Sequence, residues 1–199
     1  AEEIDDPRFD FARVLEAVQA GFRELQIENE RIPLIVGGGI HTHGQVRDLL
    51  ALGAAAVQVG TAFAVTQEGD AHPDFKKILA EAKPEDIVTF MSVAGLPARA
   101  VLTPWLKNYL KREARLQAHA KDDPRRCVPG FECLSVCGLR NGIAKMGQFC
   151  IEQRLADALK GDVRKGLFFR GSEPLPFGSA IRPVQELMDY LLGGRLPAH

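Results

Sequence analysis

Two short apolar runs, each ending in glycine and separated by one helical stretch, constrain this chain more than any other feature. Leu34-Ile35-Val36 runs into Gly37-Gly38-Gly39, and Ala56-Val57-Gln58-Val59 runs into Gly60-Thr61. Between them, from Gly44 to Leu52, Val46, Leu49 and Leu50 share one helical face. Strand, glycine turn, helix and strand within about 30 residues spell a βαβ unit, and strands joined by such a crossover run parallel. Both glycine turns then fall at the C-terminal edge of one sheet. Strands this short and apolar suit the interior of a covered parallel sheet. Glycine at that edge permits positive φ and lets backbone N–H groups approach an anion, while the helix that begins near Thr42 to Gln45 adds its dipole. Thr61 offers a hydroxyl donor. The pattern predicts a phosphate site at Gly37, Gly38, Gly39, Gly60 and Thr61, against the plainer reading that the glycines serve only tight turns.

The remaining chain adds helices more than strands. From Phe9 to Glu28, Phe11, Val14, Leu15, Val18, Phe22 and Leu25 recur at spacings of three and four, an amphipathic helix that Pro33 closes off. Further helices are predicted near Pro73 to Ala82, Pro104 to His119, Cys150 to Lys160 and Val184 to Leu192, with Val88 to Ala100 of open form. Gly166-Leu167-Phe168-Phe169 reads as a strand ending at Gly171-Ser172. Trp105, Leu106, Tyr109 and Leu110 have helical spacing and read as packing or a subunit contact. The organisation predicted is barrel-type βα units over residues 1–103, a helical and cysteine-rich insertion over 104–165, and a return strand with a terminal helix over 166–199.

Charge and composition exclude several partners. With 25 basic against 26 acidic side chains the chain has no broad field for nucleic acid or acidic lipid. No stretch approaches the roughly 18 apolar residues of a membrane span, and no secretory signal is recognisable. A cytoplasmic protein acting on a small-molecule substrate is expected.

Ile32 to Ile40, Leu52 to Phe63, and then Thr66 and Glu68 resemble the FMN phosphate-binding segment of the nitronate monooxygenase family. Looser cues continue through Ser92, Gly95 and Arg99. Gly166 to Ser172 resembles a stretch that returns towards the flavin in that family. The resemblance implies an α/β fold, the C-terminal portion of a TIM (β/α)8 barrel with a helical and cysteine-rich extension. It implies FMN, with the phosphate region at Gly37, Gly38, Gly39, Gln58, Gly60 and Thr61, and with Gly171 and Ser172 nearer the ring. The activity implied is an FMN-dependent oxidoreductase that oxidises a nitronate or NAD(P)H and passes electrons to oxygen or an organic acceptor. Enoyl-thioester or quinone reduction is the alternative within the family; a phosphate-sugar isomerase or dehydrogenase would use a similar glycine cradle. Family members carry their catalytic His just upstream of the helix that opens this chain, and neither His41 nor His43 matches that motif. The catalytic residue is therefore expected outside these residues. A barrel of this kind needs about 250 residues, so an upstream polypeptide half or a homo-oligomer is an expected partner of these 199 residues.

Cys127, Cys133, Cys137 and Cys150 give the spacing C-x5-C-x3-C-x12-C. Thiolates in a tight loop are how iron–sulfur clusters are held, and a 4Fe-4S or 3Fe-4S cluster is one reading. Zinc is a second, although only Cys133 and Cys137 have the usual pair spacing. Unmetallated thiols are a third. The pattern resembles, without matching, cysteine runs of dienoyl-CoA reductase and glutamate synthase. The segment holds little apolar periodicity, so a local organiser is expected, and Arg140, Lys145 and Gln148 flank its distal cysteines. A metal-organised electron-transfer or binding subunit without its own turnover follows if the cysteines hold metal and the flavin site is unused.

Overall fold

The computed structural model describes residues 7–27, 32–128 and 133–197. In chain order the elements are α1 (Phe11–Glu24), β1 (Ile35–Gly37), α2 (His43–Ala51), β2 (Ala56–Gln58), α3 (Thr61–Ala64), α4 (Pro73–Glu81), β3 (Ile87–Met91), β4 (Pro97–Val101), α5 (Pro104–Leu110), α6 (Glu113–Ala118), α7 (Ile151–Leu159) and α8 (Val184–Gly193). They form two compact units. One comprises the described parts of Glu3–Gly69 and Glu173–His199, the other the described parts of Asp70–Ser172.

The first unit is built on the predicted βαβ motif. β1 and β2 pair in parallel, with Ile35 opposite Ala56, Val36 opposite Val57 and Gly37 opposite Gln58. Thr42 starts α2 because its hydroxyl accepts from the Gln45 N–H, while the Gln45 side chain accepts from the Thr42 N–H. Val46 and Leu49 on α2 share a buried core with Leu187 and Leu191 of α8, joined by Leu15, Ile40, Ala54 and Ala62. Asp10 caps α1 by accepting from Ala12 and Arg13. Gly194, at φ 67°, ends α8 in the left-handed conformation that suits glycine. Within these residues the two faces of the strands differ: Leu34 and Val36 pack on the core, whereas Ile35 between them is 64% exposed. Side chains alternate across a strand, and this two-stranded sheet buries one face.

The second unit resolves the segment left open by its sequence as an antiparallel hairpin. β3 and β4 pair from Ile87 opposite Val101 to Met91 opposite Pro97. Ser92 closes the turn, since its N–H donates to the Leu96 carbonyl and its hydroxyl accepts from Ala94 and Leu96, with Gly95 at φ 78°. The helix predicted over 104–119 is two helices, because Arg112 lies at φ −111°, ψ −4° and interrupts it. Residues 166–169 are extended but make only an isolated bridge, Phe169 to Ala100, in place of the predicted strand. The Gly166 and Leu167 N–H groups go instead to the carbonyls of Asp162 and Arg154, which withdraws them from any ladder.

The cysteine-bearing segment shares the hairpin's core. Cys137 and Phe149 are buried with Phe90, Val93, Ala100, Leu106, Tyr109 and Leu167. Its organiser is an amide network. The buried Gln148 Nε2 lies 2.9–3.1 Å from the carbonyls of Gly138, Ile143 and Met146. Arg140 donates to Leu134 and Ser135, and the Gly138 and Gly147 N–H groups donate to Val93 and Ser92 of the hairpin turn. Trp105, Tyr109 and Phe149 pack ring to ring with centroids 5.0–5.6 Å apart.

Tyr109 makes this core pH-sensitive. Its hydroxyl accepts from the Gln148 N–H and donates to Glu113 Oε1. Burial, chiefly, pushes its pKa from 10.0 up to about 12, the Gln148 hydrogen bond opposing and Glu113 reinforcing. A raised folded-state value means that stability is intact below the unfolded value near 10 and is lost as the pH climbs towards 12. Alkaline titration followed by tyrosinate absorbance and circular dichroism is expected to show one late phenol ionising together with loss of structure. Tyr109→Phe should remove that coupled step.

Candidate functional site

Gly38 and Gly39 follow β1 at φ 115° and 68°, values that L side chains rarely adopt. A β-carbon at Gly38 would meet nothing within 4 Å, and the same holds at Gly60 after β2. The backbone is thus open at the C-terminal ends of two paired strands. Between them, a β-carbon on Gly37 would lie 3.2 Å from Gln58 Oε1, so the Gln58 side chain covers that glycine. Thr61 begins α3 directly after Gly60, whose carbonyl accepts from Phe63 and Ala64. Gly37, Gly38, Gly39, Gln58, Gly60 and Thr61 therefore lie together at one sheet edge. Open, positively twisted backbone is what a phosphate ester needs for close approach.

The helix α2 contributes less directly than its sequence suggests. Gln45 Oε1 accepts from the His41 and Thr42 N–H groups, and Thr42 Oγ1 accepts from the Gln45 N–H. Three donors near that terminus are taken by its own capping box, leaving the dipole as their contribution to an anion. Both histidines nearby have backbone partners. His41 Nδ1 lies 2.8 Å from the Gly39 carbonyl and His43 Nδ1 3.0 Å from that of Leu191. A carbonyl only accepts, so each Nδ1 carries its proton and donates. These bonds tie the glycine turn to α2 and α2 to the last turn of α8.

Gly171 and Ser172 belong to the other unit. The residue before them is one that sequence reasoning missed. Arg170 is only 6% exposed, its Nε donates to the Leu79 carbonyl and its Nη1 to that of Gly171. Burial pulls the guanidinium below its ordinary pKa. A lone Arg closing the apolar run 166–169 was the available signal. Ser92 and Gly95 have turn-forming roles in the hairpin, as described above.

Cys127, Cys133, Cys137 and Cys150 form no disulfide, and Cys137 is buried while the others are half-buried. Burial pushes the Cys133 thiol up, and Cys137, Glu152 and Cys127 add to it. Among the described residues no three of His, Cys, Asp and Glu are arranged to hold a metal ion. Cys137 is sunk in the apolar core and Cys150 stands at the N-terminus of α7. Gln148, Arg140 and the apolar core supply order to the described part of this segment.

The model of a family described as nitronate monooxygenase matches residues 11–193. A probable nitronate monooxygenase of Bacillus subtilis (strain 168) is 36% identical over 76 residues, 38% of this chain and 22% of that protein. FabK from Thermotoga maritima is 25% identical at a TM-score of 0.60, over 92% of this chain and 47% of its own. A nitroalkane oxidase from Streptomyces ansochromogenes is 24% identical at a TM-score of 0.53, over 91% and 41%. The chain thus spans about a fifth of the curated relative and less than half of either solved chain. These likenesses indicate a TIM-barrel-like α/β fold, to which the parallel βαβ unit conforms. No helix among the described residues is long and apolar enough to cross a membrane.

Proposed function

The chain belongs to the nitronate monooxygenase family, and from that premise we propose that it binds FMN by its phosphate and serves a flavin-dependent oxidation of a nitronate or NAD(P)H. The observation that carries the reading is the pair of open glycines, Gly38 and Gly60, at the ends of two strands in parallel register. Gly38 and Gly39 would offer backbone to the phosphate from one strand end and Gly60 and Thr61 from the other, with Gln58 standing over Gly37 between them. His41 holds the first turn in shape through the Gly39 carbonyl. FMN, when bound, supplies the electron transfer to oxygen or an organic acceptor, and the protein supplies binding, orientation and electrostatics. Gly171 and Ser172 carry no part of this proposal, and no catalytic residue is assigned within the chain.

FMN-loaded protein, assembled with the upstream half expected to carry the catalytic residue, should consume oxygen when given a nitronate or NAD(P)H, above the rate of the same assembly without flavin. Consumption of NAD(P)H only when an enoyl thioester or quinone is supplied would move the activity to those acceptors. Bound FMN with turnover of neither donor, when the upstream half that carries the catalytic residue is also supplied, contradicts the oxidoreductase reading.

A further inference from the structure

Glu173 reaches over the glycine turn at which a phosphate would be held. A β-carbon placed on Gly39 would come 3.3 Å from the Glu173 Cγ, so the acid's stem lies on that glycine. Its Oε2 stands 3.9 Å from His41 Nδ1, the same nitrogen that donates to the Gly39 carbonyl. The Glu173 side chain is 48% exposed. A backbone cradle open to anions thus has a carboxylate beside it. Resting on the phosphate reading above, we propose that Glu173 is a specificity-determining residue: it opposes the charge of a bound phosphate monoester and so narrows the preference for FMN over flavin that lacks phosphate. A phosphate held at that turn would meet the carboxylate as a like charge, in a partly solvated setting where their repulsion is reduced but not abolished. His41 and its bond to Gly39 hold the turn in place, so binding is weakened without loss of the cradle's shape.

Glu173→Gln removes the charge and keeps the side chain's length. Wild-type and variant are titrated with FMN and with riboflavin, by quenching of flavin fluorescence at low ionic strength. The expected result is about tenfold tighter FMN binding by the variant, with riboflavin affinity changed by less than about twofold. Added salt should shrink the FMN difference. Glu173→Ala should act in the same direction, which separates charge from any bond the new amide makes. Equal FMN affinities in all three proteins would overturn the proposal and leave the phosphate reading standing. Parallel weakening of FMN and riboflavin would also overturn it, because Glu173 would then be accepting hydrogen bonds from the sugar-alcohol chain. FMN binding by none of them would defeat the phosphate reading itself, and this inference with it.

Discussion

Phe168→Ala is expected to destabilise the unit of residues 70–172 by about 3–5 kcal/mol. Phe168 is fully buried, and its ring stacks near Phe75 of α4 with centroids 5.6 Å apart. The surroundings have little freedom to close over the lost ring. The Phe168 carbonyl accepts from Val101 of β4, Arg170 is bonded to the Arg99 carbonyl, and Leu167 beside it is also fully buried. A cavity that cannot collapse costs the transfer term and the lost dispersion contacts together. Set against a typical domain stability of about 5–15 kcal/mol, the loss brings this unit close to unfolding. Denaturant unfolding followed by tryptophan fluorescence reports it directly, because Trp105 is the chain's single tryptophan and lies in this unit's aromatic cluster. A loss of less than about 1 kcal/mol would mean that the site repacks and that the rigid packing described for it is wrong.

Gly38→Ala should strike binding in the other unit. A non-glycine residue held at φ 115° costs about 1–3 kcal/mol, which the turn can relieve only by rotating its backbone away from the observed geometry. Space is not the obstacle, since the added β-carbon meets nothing within 4 Å. The strain therefore acts through peptide orientation, and FMN affinity is expected to fall by about 10- to 100-fold. Gly60→Ala is the informative partner. Gly60 sits at the negative φ of −106°, so alanine there avoids the left-handed strain of Gly38, and stability should fall less while the β-carbon intrudes on the open face and weakens FMN binding by about tenfold. Calorimetric titration with FMN, beside thermal melts of each variant, separates the two effects. Wild-type affinity in Gly38→Ala would contradict a backbone cradle at that turn.

How far the sequence discloses this architecture depends on how local each signal is. The βαβ unit is legible because glycine after an apolar run, a threonine cap three residues before Gln45, and helical spacing of Val46 and Leu49 are all local. The hairpin at 87–101 escaped because Ser92 closes its turn through side-chain bonds that no dipeptide signature announces. The strand expected at 166–169 failed for a tertiary reason: its first two N–H groups are claimed by the Asp162 carbonyl after α7 and the Arg154 carbonyl within it. Burial of Arg170 and Gln148 is invisible in sequence, since each is buried only because carbonyls from distant residues converge on it. The same convergence gives the cysteine segment, whose apolar periodicity is low, a buried amide that its sequence does not announce. At the candidate site, the glycines were legible and Glu173 was not, because nothing local places an acid at position 173 over a glycine at position 39.

The central claim is that Gly38, Gly39, Gly60 and Thr61 hold the phosphate of FMN. Its most direct measurement is a titration of the purified protein with FMN, followed by flavin fluorescence and by the visible absorbance that stays with the protein after gel filtration. The account predicts saturable binding of one FMN per chain, weakened in Gly38→Ala and competed by inorganic phosphate. A protein that retains no flavin, or whose FMN affinity is indifferent to both Gly38→Ala and phosphate, would contradict it.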